Sequence, residues 1–455
     1  MSNLPFPIFV QNKPVDPDNK RAALAAVGQC RFYPSTCSNP SDYAEFQDIC
    51  AKNKEQALVD TDTPETKDES KKLKKKYMKQ GVAMASKYLR QTLQLDVSII
   101  SVQVVLEGKH ILETDGCLVA CMLDAGCAAI VVDGLNLAAL DAAKVPRERI
   151  VAHFSSSEAA TSDAIQAALS FASCISVELS NNSLETVDST LSLVTEQSDT
   201  VDFQLTAPSS DIVAQIISQS KASVGLVDPS ADLLGSSCIA CMKQSDRQDG
   251  LYATVVCTRA SEALGLEYSS KDSIIIALES GAGIYCSRSD GTTTSSENKA
   301  AQTLHRLDLD FHGDALRFTV TQSSGDDAKN GNGKPSTVTA WGTPTGIRHL
   351  EDTLKDRLQS APEGSYTKRL FDDPDLLRDK LVEEAQELAE AEDFDEVAGE
   401  LADVMYFALA RATKAGVKME DAVAELDRRT RKVTRRKGDS KAFRIAAGNA
   451  ILGKK

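Results

Sequence analysis

The sequence predicts a multidomain chain in three parts: α/β, then β-rich α+β, then all-α. Three observations carry that expectation. Short β-branched runs alternate with Ala-rich stretches between about residues 97 and 232, strand-like runs dominate 247–322, and long charged segments with apolar residues at helical spacing follow residue 345. At 455 residues the chain has room for about three domains of roughly 150 residues each. With 42% hydrophobic and 26% charged residues it has the composition of an ordinary globular protein.

Residues 1–94 read as a polar N-terminal region, mixing Pro, Asn, Asp and Lys with little periodicity. Its basic run, Lys71, Lys72, Lys74, Lys75 and Lys76, reads as a solvated helix face before it reads as a site for an acidic partner. Residues 95–240 form the α/β domain: Ile130-Val131-Val132 as a strand, 135–143 helical, Arg149-Ile150-Val151 as a strand, 158–171 helical, with some parallel pairing. Cys238 and Cys241 have the spacing of half a metal or redox site. Without a second pair or a nearby His they read as two buried small side chains. Residues 241–345 form the β-rich domain, with strands expected at 251–257, 264–268, 283–286 and 316–320 before a polar Gly/Asn/Ser/Lys loop at 323–335.

Residues 346–441 form the all-α domain, followed by a tail at 442–455. Leu377, Leu381 and Leu388 mark one helix over 376–392, and Val397, Leu401, Val404 and Ala408 mark a second over 395–415. Gly416 is placed to end the second helix, and a third segment follows at 419–432.

Fifty-one basic against 66 acidic side chains give a net charge of −15, which disfavours nucleic acid as a partner. The longest apolar stretch, 118–143, is broken by Asp124 and Asp133, so no membrane-spanning segment is expected. The first ten residues lack the pattern of a secretory or transit leader, and the expected location is the cytoplasm. Eleven cysteines at irregular spacing between Cys30 and Cys286 suit reduced thiols.

The chemistry concentrates in the helical part. Spacing of three puts Glu384 over Glu387 on the first long helix and Glu400 over Asp403 on the second, with Glu383 beside them. Like charges so placed disfavour a helix unless a cation sits between them, and the short connection near 392–395 makes the two helices antiparallel neighbours. Four carboxylates facing one groove form an all-oxygen site suited to Mg²⁺ or Mn²⁺. Flanking bases, Lys368, Arg369, Lys380, Arg428, Arg429, Arg431, Lys432, Arg435, Arg436 and Lys437, supply what a polyphosphate needs. The bland alternative is a solvated surface on which Glu pairs with Lys and Arg.

These motifs resemble the all-α nucleoside triphosphate pyrophosphohydrolase superfamily, giving a pyrophosphohydrolase-like helical C-terminal domain. More closely, Ser365-Tyr366-Thr367-Lys368-Arg369-Leu370-Phe371, Lys380-Leu381-Val382-Glu383-Glu384, Ala402-Asp403-Val404-Met405-Tyr406-Phe407 and Lys432-Val433-Thr434-Arg435-Arg436-Lys437-Gly438-Asp439 resemble phosphoribosyl-ATP pyrophosphohydrolase of histidine biosynthesis, as fused in fungal-type multifunctional enzymes. The resemblance implies hydrolysis of phosphoribosyl-ATP to phosphoribosyl-AMP and pyrophosphate. It places Mg²⁺ on Glu384, Glu387, Glu400 and Asp403, has Glu383 assist or orient water, and gives the phosphates to Lys368, Arg369, Lys380, Lys432, Arg435, Arg436 and Lys437. Related domains form dimers, so a homodimer is expected.

The preceding segment is similar to phosphoribosyl-AMP cyclohydrolase at 247–252, 265–269, 285–289 and 313–316. That family holds zinc with cysteine thiolates and Mg²⁺ with an acidic run, D-x-D-x-D. Here the run reads Asp310-Phe311-His312-Gly313-Asp314, no thiol lies in 331–342 where the later ligands fall, and the substrate loop at 292–299 departs from the pattern. Arg288, Asp310, His312 and Asp314 are what remains of that site. Zinc is therefore expected to be absent and the domain silent, a scaffold or dimerisation unit. Residues 144–151 are loosely similar to the N-terminal part of the fungal-type fusions, and the histidinol dehydrogenase activity into which such fusions continue is expected to be absent.

Three rival readings stand beside this one. In a bifunctional enzyme, Asp310, His312 and Asp314 recruit metal in another way. A housecleaning nucleotide pyrophosphatase would use the same carboxylates, although the basic run Arg435-Arg436-Lys437 suits a substrate with an extra ribose phosphate. In a non-catalytic scaffold, four crowded carboxylates would have no physical purpose.

Overall fold

The computed structural model describes residues 8–12, 28–33, 40–58, 64–92, 100–134, 145–179, 188–190, 192, 202–207, 210–219, 222–227, 229–287, 293–295, 302–322, 329–330, 334–335, 339–342, 345–434 and 442–451. The chain divides into two units: Met1–Ser336 with Asp427–Thr434, and Thr337–Leu426 with Arg435–Lys455.

In the first unit, eight parallel strands close into a barrel: β1 (Ile8–Asn12), β2 (Gln29–Phe32), β3 (Ser101–Val105), β4 (Ala129–Asp133), β5 (Ile150–Phe154), β6 (Cys174–Glu178), β7 (Asp202–Ala207) and β8 (Ser223–Val227). Closure comes from β8 pairing with β1, Val224 opposite Ile8. Helices α1 (Pro40–Leu58), α2 (Pro64–Lys87), α3 (Gly108–Glu113), α4 (Cys117–Ala125), α5 (Ser162–Ala168), α6 (Ser210–Gln219) and α7 (Ala231–Cys241) accompany the strands. This revises the division at residue 94. The barrel begins at Ile8, so the segment expected to be a separate polar region supplies two barrel strands and two helices, and the α/β segment supplies the other six strands. The Lys run lies on α2, where Lys71, Lys72, Lys75 and Lys76 are exposed, as a solvated face requires.

Alternate side chains of a strand point to opposite faces. Ile130, Val132, Ile150, Ala152, Ile175 and Val177 therefore join the large apolar core with the helices, whereas Ala129, Val131, Val151 and Cys174 form a separate small cluster inside the barrel. The interior also holds a buried polar group beside the Phe9 ring. Arg31 is wholly buried on β2 and donates to Gln103 Oε1 (3.2 and 3.0 Å) on β3, to Ser176 Oγ (2.8 Å) on β6 and to Gln204 on β7, a set of partners reachable only across the barrel. Its guanidinium lies 4.6 Å from the Phe9 ring centroid. That ring occupies the space left by Gly225, where a Cβ would come within 2.4 Å of Phe9 Cζ.

A four-stranded sheet of order β10-β9-β14-β13 belongs to the same unit and is built from β9 (Tyr252–Cys257), β10 (Ala263–Ser269), β13 (Gln302–Leu309) and β14 (Ala315–Gln322). The short pairs β11 (Ile284–Cys286) with β12 (Thr293–Ser295), and β15 (Lys329–Asn330) with β16 (Lys334–Pro335), complete the strands. The strands expected at 251–257, 264–268, 283–286 and 316–320 are present. The helix α8 (Lys271–Ser280) went unrecognised because its run Ile274-Ile275-Ile276 is β-branched. A capping box between Ser270 and Ser273 starts it, and Gly281 at φ +63° ends it. Cys238 and Cys241 lie on α7, the first buried and the second half-buried.

The segment Asp427–Thr434 packs with the first unit around Asp124, which is only 4% exposed on the last turn of α4. Its carboxylate accepts the N–H groups of Val433 (2.9 Å) and Thr434 (3.1 Å) and the Thr434 hydroxyl. Arg428 donates to the Asp124 carbonyl (2.7 Å) and Arg431 to that of Gly126 (3.2 Å).

The second unit contains α9 (Gly346–Ser360), α10 (Tyr366–Asp372), α11 (Pro374–Glu390), α12 (Phe394–Lys414), the start of α13 (Met419–Thr430) and α14 (Ala442–Ile451). Asp373 caps α11 through the N–H groups of Asp375 and Leu376, with Pro374 at its first position, and Asp393 caps α12 through Glu396 N–H. Gly416, at φ +71°, follows α12 as expected. Leu354, Leu370, Phe371, Leu377, Phe407, Leu409 and Ala410 form the core. The apolar stripe expected on α12 is only partly covered, with Val397 38% and Leu401 46% exposed. No helix among the described residues is long and apolar enough to cross a membrane.

Asp124→Ala removes the acceptor for three donors of the C-terminal segment. It is expected to lower stability by about 2–3 kcal/mol, read as a lower urea midpoint by circular dichroism, because donors left unmet at a buried anion site lose their full compensation.

Candidate metal centre

The centre is built on the facing turns of α11 and α12. Near-antiparallel packing of the two helices across their short connection brings Glu384 and Glu387, one turn apart, toward Glu400, and one carboxylate oxygen from each lies within 4.8 Å of the others. Glu384 is buried, Glu400 half-buried and Glu387 exposed. Asp403, the fourth residue expected here, is exposed and stands outside that trio, although its charge acts on Glu400.

Lys380 sits one turn before Glu384 and donates to Glu384 Oε1 (2.8 Å) and Glu383 Oε2 (2.9 Å), with its ammonium 5.7 Å from the Phe407 ring centroid. Those two carboxylates hold its pKa well above the ordinary lysine range. This revises the expectation for Lys380, which bridges carboxylates rather than standing free for a phosphate. Glu383, expected to orient water, is the other end of that bridge. Phe407, absent from the expected site, gives the ammonium an aromatic face; its signal was the Tyr406-Phe407 pair, read only as part of a motif. Tyr366 packs edge-on to Phe407, and the Thr367 hydroxyl lies 3.1 Å from the Tyr406 hydroxyl.

Glu400 is where the charge balance fails. Its Oε2 is out of solvent and has no hydrogen-bond partner. Desolvation raises its pKa, and the charges of Glu387, Glu384 and Asp403 raise it further. A buried oxygen without a donor, facing two more carboxylates, is the donor set of a hard divalent cation. Mg²⁺ or Mn²⁺ fits these residues; the soft sulfur ligands that zinc favours are not among them.

The other expected phosphate ligands are distributed as follows. Lys368 is half-buried and Arg369 exposed on α10, whose start is capped by the Ser365 side chain. Lys432 lies in the segment Asp427–Thr434 of the first unit, and Arg435, Arg436 and Lys437 lie outside the described residues. Arg428 and Arg431, two of the flanking bases, donate to the backbone carbonyls of Asp124 and Gly126.

In the β-rich region Asp310 accepts the N–H groups of His312 (3.1 Å), Asp314 (2.9 Å) and Ala315 (3.0 Å), closing a tight turn through Gly313 at φ +80°. Burial pushes this carboxyl up, and the backbone donors outweigh it and hold the pKa below the ordinary range. The His312 ring stands edge-on to exposed Phe311, and Asp314 is exposed. Arg288 and the segments 296–299, 331–333 and 336–338 lie outside the described residues.

Glu400→Gln tests the acidic cluster without assuming a substrate. A folded-state pKa raised above the ordinary 4.5 means that ionised Glu400 opposes folding, fully above its folded pKa and not at all well below 4.5. In chelator-treated protein the variant is expected to melt higher than the parent at pH 7–8, with the difference vanishing as pH falls through that window. Added Mg²⁺ should raise the melting point of the parent and leave the variant little changed.

A family model described as phosphoribosyl-ATP pyrophosphohydrolase matches residues 347–430. The chain is 42% identical over 230 residues to the histidine biosynthesis bifunctional protein his7 of Schizosaccharomyces pombe, a match covering 50% of this chain and 54% of that protein. It is 45% identical over 198 residues to the histidine biosynthesis trifunctional protein of Komagataella pastoris, covering 43% of this chain and 23% of that one. With the histidine biosynthesis bifunctional protein HisIE of Pyrococcus furiosus it shares 29% identity over 196 residues, 40% of this chain and 93% of that protein. The matched chain thus spans about half the length of the fission-yeast relative and about a quarter of the trifunctional one. Glu384, Glu387 and Glu400 all lie within residues 347–430, the segment that matches the phosphoribosyl-ATP pyrophosphohydrolase family model.

Proposed function

We propose that this protein hydrolyses phosphoribosyl-ATP to phosphoribosyl-AMP and pyrophosphate in histidine biosynthesis, using Mg²⁺ held by Glu384, Glu387 and Glu400, with Asp403 within electrostatic reach. The observation that carries the reading is the orphaned Glu400 Oε2 beside two further carboxylates, inside the segment that matches the family. A bound divalent cation supplies charge neutralisation to the triphosphate and a lowered pKa to water. The protein's own groups do the rest. Lys380 fixes the Glu384 rotamer and offsets part of the negative charge, so that Glu387 and Glu400 remain as acceptors. Glu383, tied to the same ammonium, is positioned to accept a proton from water attacking between the α and β phosphates. Lys368 and Arg369, at the start of α10 in the same unit as the carboxylates, are proposed to meet phosphate oxygens.

The cyclohydrolase-like region is proposed to be silent. The Asp310 carboxylate is occupied by three backbone donors of its own turn, and Asp314 points to solvent as an exposed residue. Partly uncovered Val397 and Leu401 on α12 support a second copy of this chain as partner, because two half-exposed apolar side chains one helical turn apart fit the stripe of a helix pair. A cytoplasmic location accords with such a biosynthetic role.

Incubating the chain with phosphoribosyl-ATP and Mg²⁺, with products separated by chromatography and pyrophosphate assayed, is expected to accumulate phosphoribosyl-AMP. Onward conversion to the ring-opened carboxamide would establish the bifunctional reading. Preference for other nucleoside triphosphates would establish the housecleaning one. Glu384→Gln is expected to reduce turnover by more than about 100-fold, beyond the usual effect of residues that only support a metal ligand, with circular dichroism unchanged.

A further inference from the structure

Away from the acidic cluster, on the helical layer of the barrel, four sulfur atoms meet. Cys50 on α1 and Cys117 and Cys121 on α4 are buried, and one Sγ from each lies within 4.8 Å of the others. The Sγ atoms of Cys117 and Cys121 are 3.9 Å apart, and the Met78 Sδ on α2 lies 3.8 Å from the first and 3.7 Å from the second. An ion with four ligands at about 2.3 Å, the length of a metal–thiolate bond, has tetrahedral edges of about 3.8 Å. The three separations among Cys117, Cys121 and Met78 match that edge, and Cys50 Sγ lies within 4.8 Å of both other thiols.

The neighbouring backbone leaves room for this meeting. A Cβ on Gly81, one turn beyond Met78, would come within 2.6 Å of Cys121 Sγ and 3.6 Å of Cys50 Sγ, so α2 approaches the thiols this closely only with glycine there. Met78 is half-buried, giving an ion a route past a flexible thioether.

We propose that Cys50, Cys117, Cys121 and Met78 form a binding site for a soft monovalent metal ion of the Cu(I) class. Three thiols and a thioether are soft donors, suited to Cu(I) and Zn²⁺ and not to the magnesium-type ions of the glutamate cluster, which prefer oxygen. The surroundings also require low net charge, since Phe46, Ala85 and Leu118 of the same core are buried and apolar. A monocation with one thiolate is neutral; a dication with three thiolates leaves a buried anion.

The test is an anaerobic Cu(I) titration of the reduced full chain against a competing Cu(I) chelator, with sulfur coordination read by X-ray absorption. One equivalent in a sulfur shell is expected. Its affinity should fall at least 100-fold in Cys117→Ala and about 10-fold in Met78→Leu, a volume-conserving change that keeps the fold whether or not Cys117→Ala does. Cys241→Ala, on α7, should leave it unchanged. Absence of a tight equivalent, equal affinity in both Cys117→Ala and Met78→Leu, or loss on Cys241→Ala would overturn the proposal.

Discussion

Glu384, Glu387 and Glu400 each bring an oxygen within 4.8 Å of the others, an arrangement that Coulomb repulsion opposes and that the helical unit must nevertheless hold. Lys380 makes it tolerable. Its ammonium binds Glu384 and Glu383 at once and draws Glu384 into the buried side of the α11–α12 contact, where Phe407 covers the lysine. The compensation is incomplete, because one ammonium cannot also satisfy Glu400, whose Oε2 is left without a donor. A site neutral in the absence of a cation would bind one weakly; this one remains short of positive charge. The core of Leu354, Leu370, Phe371 and Leu377 supplies the rigidity that keeps the carboxylates from turning apart.

Much of the site was legible because helical spacing converts directly into geometry. Glu384 and Glu387, three apart, share a face whatever else the chain does, and an antiparallel partner three residues away admits few arrangements. What spacing does not convey is which carboxylate a neighbouring cation reaches. Lys380, Glu383 and Glu384 were all visible, yet the choice between a lysine aimed at phosphate and one aimed at its own helix depends on rotamers and on Phe407. Asp403 shows the same limit. It lies one turn beyond Glu400, but its carboxylate is exposed and outside the trio.

The barrel was harder to read, for a reason visible in its interior. Sequence patterning expects a parallel strand to be apolar on both faces, and Gln11 on β1 with Gln29 and Arg31 on β2 break that pattern. These residues are buried all the same. The strands Ile8–Asn12 and Gln29–Phe32 are also short, five and four residues, and are flanked by polar sequence. Two of the later strands, carrying Ile130-Val131-Val132 and Ile150-Val151, keep apolar outer and inner faces and so were recognisable. Closure itself depends on β8 finding β1 across more than 200 residues, which no local window contains. In the sheet the error ran the other way, since β-branched Ile274 and Ile275 look like strand but sit on a capped helix.

The basic residues from Arg428 onward show why charge counts alone mislead. A helix C-terminus presents unpaired carbonyls and partial negative charge, which attract guanidinium groups without any phosphate. At the end of α4, Arg428 and Arg431 donate to the carbonyls of Asp124 and Gly126, while Arg149 reaches those of Cys127 and Ala128 and the Arg431 carbonyl itself. Asp124 would be misplaced at that same terminus, and the N–H groups of Val433 and Thr434 offset it. Two of the seven bases in the run, Arg428 and Arg431, thus have a structural task that the sequence could not separate from a catalytic one. The distinction narrows the chemistry, because a guanidinium whose donors already meet buried carbonyls must give them up before it can meet a phosphate. Lys368 and Arg369 on α10 lie in the helical unit and carry no such engagement of their side chains by the α4 terminus, which is why the proposed phosphate role is given to them first.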